Sequence, residues 1–457
     1  MAAWRYTLNE LAHVIAAAED RDPACAGQGR TEAAFSSVST DTRTLQPGDV
    51  FFALSGPNFD GNRFVPDAFA KGAVAAVTRE ANDTGPCLLV EDPLKALQQF
   101  AAHHRARYRI PVLALTGSCG KTSTKDMTAQ VLATRHNVVK TQGNLNNEIG
   151  CPLSLLQLDE QTDMAVIEMG ANHTGEIAGL CALAGPTESA ITIIAPAHLE
   201  GFGTIENVAK AKAEIVECLD ARGTFYVNVD DPWCARIGEA FQGNKVRFGT
   251  QGDVVLESSR FVAPCEMELR IAPIGTLRLP LACRAHAHNV LLAVAVGLRH
   301  GVDSFEEPLR RACMASSRFK VVKIGPLTVI DDTYNANPAS MAASLEALAD
   351  WPGGGARIAA LGEMLELGGA APSLHREIGA KAARLSVSCL FAKGPHARDM
   401  IEGALAEKIS HAETIDDPRD LARAIHSAAK PGDLLLVKGS RGMLMERVIR
   451  ALEELYS

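Results

Sequence analysis

A glycine-rich segment contains the first residues whose types and spacing could do chemistry. In LALTGSCGKTST, residues 113–124, an apolar run stops at Gly117, and Gly120, Lys121 and Thr122 follow. Glycines let backbone amides approach phosphate oxygens, and the amino end of a helix adds the positive end of its dipole. Lys121 would then reach the β- and γ-phosphates of a nucleotide, and Thr122 would hold Mg²⁺. The segment therefore predicts a phosphate-binding loop.

The spacing within this segment departs from the usual phosphate-loop pattern. Only Ser118 and Cys119 separate the two glycines, whereas the usual pattern has four residues there. Taken alone, the segment is also compatible with a tight strand-to-helix turn and a solvated lysine. The apolar strand before it and the helical pattern after it, with Met127, Val131 and Leu132 on one face, favour the nucleotide site.

An acidic residue follows another buried strand. Residues 164–167 are apolar, and Glu168 comes directly after them. Ligands of open α/β sheets bind at the carboxyl ends of the strands, so an acid there is placed to hold Mg²⁺ directly or through water. Alone, Glu168 could equally be a strand-terminal acid that caps a neighbouring helix.

A lysine at an unusual position marks a later helix. From Ile205 onward, apolar residues recur with helical spacing on one face, and Lys212 lies on that face. We expect Lys210, Glu214 and Glu217 to form a solvated ion-pair face on the opposite side. Because a cation on an apolar face must extend to solvent, pair with an anion or be chemically modified, Lys212 is a candidate functional residue.

Other polar residues stand near strand ends. His198 follows a short apolar run, where a hydrogen-bonded structural histidine is the default interpretation. In VIDDTYNANPASM, residues 329–341, Asp332 ends a strand and a polar loop follows. In LVKGSRGMLMERV, Lys438 and Arg441 flank a turn, and basic groups around a turn suit a carboxylate or a phosphate. Each of these groups could separately belong to a solvated loop.

The elements that position these residues follow from the alternation of short apolar runs with helical patterns. This alternation indicates α/β domains with largely parallel sheets. A length of 457 residues is too great for one ordinary core. We predict a first domain at 1–105, a second at 106–318 and a third at 319–457, with a more irregular β-rich stretch over roughly 245–282.

Composition limits the class of protein. A net charge of -9 argues against a general nucleic-acid binder and permits a small anionic substrate. The 11 cysteines form no C-x-x-C pair, which is typical of reduced thiols in a cytosolic protein. The amino-terminal residues lack a signal-peptide core, and no apolar run reaches the roughly 18 residues that span a bilayer. We therefore expect a cytoplasmic protein without membrane insertion.

Taken together, the motifs resemble those of the Mur ligases, ATP-dependent amide-forming enzymes of cell-wall precursor synthesis. The phosphate loop of that family has the compact form G-[TS]-x-G-K-[TS], which residues 117–122 match. The resemblance covers nearly the whole chain and includes SVSTDTRTLQPGDVFFALSGPNFDGNRF, TQGNLNNEIGCPLSLL, EMGANHTGEI, PAHLEGFG, DDTYNANPASM, LGEMLELG and VKGSRGMLMERV. Several motifs in the family's order make the resemblance specific, because none of them would suffice alone.

The resemblance implies an α/β fold of three domains: a small UDP-sugar-binding domain, a central P-loop ATPase-like domain with a parallel sheet, and a carboxyl-terminal Rossmann-like domain. In the branch that the motifs resemble most, ATP phosphorylates the terminal carboxylate of UDP-N-acetylmuramoyl-tripeptide. The amine of D-alanyl-D-alanine then attacks the acyl phosphate, and phosphate leaves a tetrahedral intermediate. ATP and two Mg²⁺ ions are the implied cofactors, and we expect a monomer.

The resemblance also assigns residues to this chemistry. It places Lys121, Glu168, His198 and Lys212 at the catalytic centre. The last of these is implied to be carbamylated, and the implied metal ligands are Thr122, Glu168, His198 and Lys212. The implied nucleotide contacts are Gly117, Ser118, Cys119, Gly120, Lys121, Thr122, Ser123, Asn289 (at the adenine), Arg318 and Asp332. The implied contacts to the other substrates are Ser39, Thr40, Asp41 and Arg43 in the uridine-nucleotide segment, Asn144, Asn147 and Glu148 in the muramoyl-side loop, and Asn335, Asn337, Lys438, Ser440 and Arg441 where the incoming amine would dock.

Departures from the family pattern, Cys119 among them, and two alternatives stand beside this interpretation. Cys119 occupies a position where the family usually has Asn or His, and we do not expect its thiol to be a nucleophile.

A sibling ligase adds the third amino acid to UDP-muramoyl-dipeptide and uses a D-N-P-R motif. Asp417-Pro418-Arg419 lacks the Asn and is typical of a helix amino terminus with proline at the first position. A phosphate-loop sensor without ligase activity is the alternative of another class, although the chain contains no N-K-x-D guanine motif.

Overall fold

The chain folds into three successive α/β units, in agreement with the alternating sequence pattern. The computed structural model describes residues 4–17, 32–57, 59–263, 265–315, 318–352 and 354–457. Each unit contains a sheet with parallel strand pairs, which confirms the predicted fold class. No helix within these ranges is long and apolar enough to cross a membrane.

The first unit is a small parallel sheet covered by helices. Its elements are β1 (Tyr6–Thr7), α1 (Leu8–Ala17), β2 (Ala34–Phe35), β3 (Val38–Ser39), β4 (Val50–Phe52), β5 (Ser55–Gly56), β6 (Phe59–Asp60), α2 (Val65–Ala70), β7 (Ala75–Thr78), β8 (Cys87–Leu89) and α3 (Pro93–Ala106). Strands β3, β4, β7 and β8 pair in parallel in that order. Helix α3 begins at a proline behind Asp92, whose side chain accepts from two free N–H groups of the first turn.

The central unit carries the predicted phosphate loop between its first strand and its first helix. Its elements are β9 (Val112–Thr116), α4 (Lys121–Leu132), β10 (Val138–Lys140), α5 (Gly150–Leu155), β11 (Met164–Glu168), α6 (Glu176–Ala184), β12 (Glu188–Ile191), α7 (Leu199–Phe202), α8 (Ile205–Glu217), β13 (Thr224–Asn228), α9 (Pro232–Ala240), β14 (Asn244–Gly249), β15 (Val254–Ala263), β16 (Glu266–Ala272), β17 (Gly275–Leu279), α10 (His286–Arg299) and α11 (Glu306–Ala315). The sheet order is β10–β11–β9–β12–β13–β14–β15–β16–β17. Pairing is parallel as far as β15 and antiparallel from β15 to β17, so the irregular β-rich stretch extends the same sheet.

The third unit is a second sheet of mostly parallel strands. Its elements are β18 (Lys320–Ile324), β19 (Leu327–Asp332), α12 (Pro338–Asp350), β20 (Arg357–Gly362), α13 (Ala371–Arg384), β21 (Cys389–Lys393), α14 (Ala397–Ala406), β22 (His411–Thr414), α15 (Pro418–Ala428), β23 (Leu434–Lys438) and α16 (Glu446–Tyr456). The order is β18–β19–β23–β20–β21–β22, and only the pair β18–β19 is antiparallel among the pairs of this sheet that the structure describes.

The carboxyl ends of the strands in the central and third units face a common space. In the central sheet β9 ends at Thr116, β11 at Glu168 and β12 at Ile191. In the third sheet β19 ends at Asp332 and β23 at Lys438, and these two residues are partners in register. The fold therefore brings together polar groups that are far apart in the sequence, at the edges where α/β sheets bind ligands.

The first and central units share a continuous hydrophobic core. Trp4 Nε1 donates to Leu156 O at 2.8 Å, and His104 Nε2 lies 2.9 Å from Leu158 O. His104 is fully buried, and burial lowers its pKa to about 4. A neutral imidazole that donates to a carbonyl therefore links the two units.

Candidate functional site

A cavity of about 850 Å³ lies between the central and third units. Most of the predicted site residues line it, namely Ser118, Cys119, Gly120, Lys121, Thr122, Ser123, Asn144, Asn147, Glu168, His198, Asn289, Arg318, Asp332, Asn335, Asn337, Lys438, Ser440 and Arg441. The predicted residues that lie outside its lining are Ser39, Thr40, Asp41, Arg43, Gly117, Glu148 and Lys212. The cavity thus brings together most of the residues predicted to contact ATP and all of those predicted to contact the incoming amine, but none of those predicted to contact the uridine nucleotide.

Glycine is required at both ends of the phosphate loop. Gly117 has φ +146°, and a Cβ there would lie 2.0 Å from Thr192 Oγ1. Gly120 has φ +82°, and its Cβ would lie 2.8 Å from Asn289 Oδ1. Glycine alone adopts such conformations without strain, and its bare backbone fits between these neighbours. Helix α4 begins at Lys121, so the predicted strand, short turn and helix are all present.

The side chains of the loop anchor it and point into the cavity. Ser118 Oγ donates to Ala195 O at 2.8 Å and holds the loop against the segment after β12. Lys121 Nζ donates to Gly117 O at 2.7 Å, and burial lowers the pKa of its ammonium. Burial also raises the pKa of the Cys119 thiol, which disfavours the thiolate and agrees with the expectation that this residue is not a nucleophile.

Glu168 is buried beside the start of α4. Its Oε1 accepts from Thr122 Oγ1 at 3.1 Å and from Asn146 Nδ2 at 2.7 Å. Its Oε2 is buried without a hydrogen-bond partner among the described residues. An orphaned carboxylate oxygen beside a hydroxyl suits a hard divalent cation, and Mg²⁺ commonly takes one or two carboxylates and completes its shell with phosphate oxygens and water. The donors present therefore fit Mg²⁺, and the described residues contain no larger acidic, His or Cys cluster that would hold a metal unaided.

Sequence reasoning missed two partners of Glu168. Lys125 is 1% exposed, and its Nζ lies 3.9 Å from Glu168 Oε2. Asn146 supplies the amide hydrogen bond to the other oxygen. The available signal for Lys125 was its place four residues after Lys121, which puts both lysines on one face of α4. Asn146 lies between two asparagines that were predicted to belong to the site. The sequence did not indicate that its own side chain points at Glu168.

His198 meets the third unit across the cavity. It has φ 51°, and its Nδ1 is hydrogen-bonded to Glu366 Oε2. Glu366 also has a left-handed φ, of 63°, and its carbonyl accepts from Glu200 N at 3.0 Å. Burial lowers the pKa of His198, and the bond to Glu366 opposes that shift. Since Nδ1 faces a carboxylate, Nε2 is the ring nitrogen left for a ligand.

Lys212 is buried on the apolar face of α8, as its spacing predicts. It is 2% exposed, and its Nζ lies 5.6 Å from the centre of the Phe202 ring. In the part of the chain that the structure describes, its ammonium has no hydrogen bond and no salt bridge. Burial lowers its pKa to about 7, and the nearby charge of Lys121 acts in the same direction. Of the three possibilities for this lysine, extension to solvent and ion pairing are therefore not observed.

The expectation that Glu214 belongs to a solvated face is wrong. Glu214 is 7% exposed, and its two oxygens accept from Gly175 N at 2.6 Å and from Ala178 N at 3.0 Å. These N–H groups belong to the start of α6, where backbone donors have no partner within their own helix. Lys210 and Glu217 are exposed, as predicted.

Asp332 and Lys438 form a buried ion pair in the third unit. Lys438 is 2% exposed, and its Nζ donates to Asp332 Oδ2 and, at 2.9 Å, to Asn335 O. Ser344 Oγ donates to the same carboxylate oxygen at 2.7 Å. The pair therefore supports the polar loop after β19, and the Lys438 charge faces Asp332 as well as the cavity.

The remaining predicted residues lie at the edge of the third unit or where it joins the central unit, and one of them, Asn337, contacts the phosphate loop. Asn337 caps α12, and its Nδ2 donates to Ser118 O at 3.0 Å. Ser440 is buried and accepts a backbone hydrogen bond through its Oγ, whereas Arg441 is exposed and pairs with a glutamate of α16. Arg318, where the two units join, lies over a tyrosine ring of the third unit at 4.2 Å.

The four residues predicted to contact the uridine nucleotide lie together in the first unit, outside the lining of the cavity. The Arg43 guanidinium binds both carboxylate oxygens of Asp41, at 2.9 and 2.6 Å, and this contact lowers the pKa of Asp41 to about 2. Ser39 Oγ accepts from Asp41 N at 3.2 Å, and Thr40 stands between them in the chain. This group is a separate polar cluster.

The stretch Asp417-Pro418-Arg419 begins a helix, as predicted. The Asp417 side chain accepts from Arg419 N at 2.8 Å and from Asp420 N at 3.0 Å, and α15 starts at Pro418. These residues are not among those that line the cavity. They therefore give no support to the sibling activity that depends on a D-N-P-R motif.

Protein-family models match three successive segments of the chain. Residues 34–105 match "Mur ligase family, catalytic domain", residues 115–297 match "Mur ligase middle domain", and residues 317–441 match "Mur ligase, glutamate ligase domain". These segments fall one in each of the three units.

Similar proteins cover nearly the full length. The chain is 35% identical over 432 residues to UDP-N-acetylmuramoyl-tripeptide–D-alanyl-D-alanine ligase of Bacillus subtilis, covering 91% of this chain and 93% of that one. A crystal structure of MurF from Acinetobacter baumannii superposes with a TM-score of 0.88 at 30% identity, covering 99% and 100% of the two chains. MurF ligase from Thermotoga maritima, solved in complex with ADP, gives a TM-score of 0.82 at 28% identity over 92% and 97%.

Proposed function

The chain belongs to the Mur ligase family, and we infer that it is the ligase that joins D-alanyl-D-alanine to UDP-N-acetylmuramoyl-tripeptide. It uses ATP and gives UDP-N-acetylmuramoyl-pentapeptide, ADP and phosphate, a step of peptidoglycan precursor synthesis. One observation carries this conclusion. The short phosphate loop, Glu168 and the polar residues at the strand ends of the third unit all line one cavity.

The phosphate loop is the proposed nucleotide end of that cavity. The amino end of α4 and its free N–H groups would bind phosphate oxygens, and Lys121 would neutralise the β- and γ-phosphates. Asn289 lies against Gly120 and lines the cavity, which supports its proposed contact with the base. Arg318 and Asp332 also line the cavity and are proposed to contact the nucleotide where the two units join.

Thr122, Glu168 and His198 are the proposed Mg²⁺ ligands, together with a carbamate on Lys212. The neutral Lys212 amine would add to carbon dioxide, forming an N–C bond and releasing one proton, and its lowered pKa favours the neutral form. When bound, Mg²⁺ would offset the repulsion among the carboxylate and phosphate anions that meet there.

The reaction has two bond-forming steps. A terminal carboxylate oxygen of the tripeptide attacks the γ-phosphorus, and ADP leaves. The D-alanyl-D-alanine amine attacks the carbonyl carbon of the acyl phosphate and loses a proton, and phosphate leaves the tetrahedral intermediate. The third unit touches the phosphate loop through Asn337, a contact that would exclude water from the reactive acyl phosphate.

The UDP-linked tripeptide and D-alanyl-D-alanine are proposed to bind to different units. Residues 39–43 of the first unit are proposed to bind the uridine nucleotide, and their place outside the cavity suits a long substrate whose far end alone reaches the phosphate loop. Asn144, Asn147 and Glu148 are proposed to lie along its muramoyl portion. The proposed docking group for the amine lies on the third unit and consists of Asn335, Asn337, Lys438, Ser440 and Arg441.

We also propose that the enzyme acts as a monomer in the cytoplasm and binds no nucleic acid. The described cysteines are all free thiols, which suits a reducing compartment.

Phosphate release from ATP tests the proposed function. The assay is run with UDP-N-acetylmuramoyl-tripeptide and D-alanyl-D-alanine together, with each alone, and with neither. We expect sustained release only when both are present. Phosphate release that depends on neither substrate would contradict the proposed ligase function and would favour a nucleotide-binding sensor. Release with a free amino acid and UDP-muramoyl-dipeptide would instead identify the sibling activity.

A further inference from the structure

Lys125 is a buried cation that the reaction above does not use. Its side chain is 1% exposed and does not line the cavity, although Lys121, four residues earlier on the same face of α4, does. Lysine is almost never fully buried unless it is paired, because an unpaired buried ammonium is strongly destabilising. The partners of Lys125 therefore indicate its role.

Lys125 contacts groups on three different elements. Its Nζ donates to Gly143 O at 3.2 Å and lies 3.4 Å from Asp126 Oδ1 and 3.9 Å from Glu168 Oε2. Glu168 Oε2 is the carboxylate oxygen that lacks a hydrogen-bond partner among the described residues. Lys125 thus supplies the positive charge beside that oxygen and, with the same ammonium, holds a backbone carbonyl of the loop between β10 and α5.

This loop, residues 141–149, is held to Glu168 at further points. Thr141 Oγ1 accepts from Glu168 N at 3.0 Å, and Asn146 Nδ2 donates to Glu168 Oε1 at 2.7 Å. Residues 142–145 are exposed, so packing does little to hold that part of the loop. A backbone hydrogen bond from Gly170 N to Asn146 O at 2.8 Å and the side-chain contacts of Lys125 and Asn146 therefore hold this part of the loop.

The far end of the loop reaches the first unit. Gln98 Nε2, on α3, donates to Glu148 O at 3.1 Å. Asn144 and Asn147 line the cavity between that contact and Glu168. The loop therefore runs from the unit proposed to bind the uridine nucleotide to the carboxylate proposed to bind metal.

We propose that Lys125 is a positioning residue that couples the Glu168 carboxylate to the loop of residues 141–149, and through this loop to binding of the UDP-linked substrate. The proposal rests on the proposed function for the identity of that substrate. The metal–nucleotide complex engages Glu168 and the UDP-linked substrate engages the loop. We expect each ligand to raise the affinity for the other, with Lys125 transmitting the effect. Because linkage between binding sites is reciprocal, the two affinity increases are equal.

Hydrogen exchange in the ligand-free protein tests the structural part of the proposal. Lys125→Met keeps an unbranched side chain of similar length and removes the charge and the donor. We expect amide exchange at 142–148 to become at least about fivefold faster, while the second half of α4 is unchanged. Lys140→Met is the matched control, because Lys140 pairs with the same Asp126, at 2.5 Å, and has no side-chain contact with Glu168 or Gly143 in the described structure.

Calorimetry tests the coupling itself. The affinity for UDP-N-acetylmuramoyl-tripeptide is measured with and without Mg²⁺ and a non-hydrolysable ATP analogue. In the unchanged protein we expect the nucleotide complex to raise this affinity at least about fivefold, and in Lys125→Met less than about twofold. The affinity for the nucleotide alone should stay within about threefold. Asn146→Ala removes the hydrogen bond from the loop to Glu168 Oε1 and should give the same loss of coupling, so it tests the coupling if Lys125→Met does not fold.

Three results would overturn the proposal. The first is unchanged exchange in the loop of Lys125→Met with a full affinity increase. The second is a loss of nucleotide affinity as large as the loss for the UDP-linked substrate, which would place Lys125 in the nucleotide site. The third is no affinity increase in the unchanged protein. Failure of the unchanged protein to bind the UDP-linked substrate would contradict the proposed function instead, and hydrogen exchange would then decide the role of Lys125.

Discussion

At the scale of single residues, Lys212 is the side chain whose environment most constrains its chemistry. We predict that Lys212→Ala slows ligation by at least about 100-fold, because it removes the group proposed to carry an anionic metal ligand. Acetate or another short carboxylate should restore part of the rate. Lys210→Ala, an exposed position on the same helix, is the control and should stay within about twofold. Steady-state phosphate release is the measurement.

The carbamate can also be observed without turnover. With isotope-labelled carbon dioxide, carbon NMR should show a carbamate signal in the unchanged protein and none in Lys212→Ala. The neutral amine is the form that reacts, and its pKa is about 7, so the signal should weaken as pH falls below that value. Full activity of Lys212→Ala, or an identical signal in both proteins, would refute the modification.

Sequence patterns predicted some buried polar residues and missed others for a physical reason. Lys212 was predictable because a cation interrupts an apolar helical face. For Lys125 the only signal in the sequence was its place four residues after Lys121, because its partners Gly143 and Glu168 lie 18 and 43 residues later and are joined to it only by the fold. Glu214 was assigned wrongly, because i, i+4 spacing suggested an ion pair whereas its partners are backbone N–H groups of another helix.

At the scale of elements, the start of α4 depends on a glycine that no other residue can replace. Gly117→Ala would place a methyl group 2.0 Å from Thr192 Oγ1 in a backbone conformation that alanine rarely adopts. We predict that ATP affinity falls at least about tenfold, because the strained loop can no longer direct its N–H groups at phosphate. Titration with a fluorescent ATP analogue measures the effect.

Gly179→Ala is the matched control for this variant. Gly179 lies within α6 with open space around its Cβ position, so alanine should leave nucleotide affinity unchanged and stabilise the helix slightly. Unchanged ATP affinity in Gly117→Ala would show that the loop tolerates the methyl group and would contradict the requirement for glycine at this position.

The existence and type of these elements were predictable, but their ends and partners were less so. The apolar run before the phosphate loop begins at Ile110, whereas the strand itself begins at Val112, because the apolar pattern extends past the last strand pairing. The stretch at 245–282 was expected only as irregular β structure. Its first strand, β14, pairs in parallel with β13 and with β15, and the pairing turns antiparallel only from β15 onward.

At the scale of the whole molecule, the third unit closes on the central unit at the cavity. His198 and Glu366 meet there, and Trp351 Nε1 donates to Ala282 O at 2.9 Å on the far side. These contacts join residues far apart in the sequence, so the resemblance predicted three units without predicting which side chains meet. That arrangement required the structure.

Glu366→Ala tests the importance of this closure. We predict that kcat falls about tenfold while the KM for ATP changes less than about threefold, because the nucleotide loop is untouched and His198 loses the group that orients it. Small-angle scattering should show a larger radius of gyration. Glu377→Ala, an exposed acid on α13, is the control. Equal kcat and equal radii for the two variants would contradict a role for Glu366 in closure.

Transfer of a labelled oxygen atom tests the central claim most directly. The tripeptide carboxylate is prepared with a heavy oxygen isotope, and the phosphate released during ligation is analysed by mass spectrometry. If ATP activates that carboxylate as an acyl phosphate, each phosphate retains one carboxylate oxygen, because the bridging atom leaves with phosphorus. Phosphate without the heavy isotope, formed at the same rate as the pentapeptide product, would contradict the mechanism.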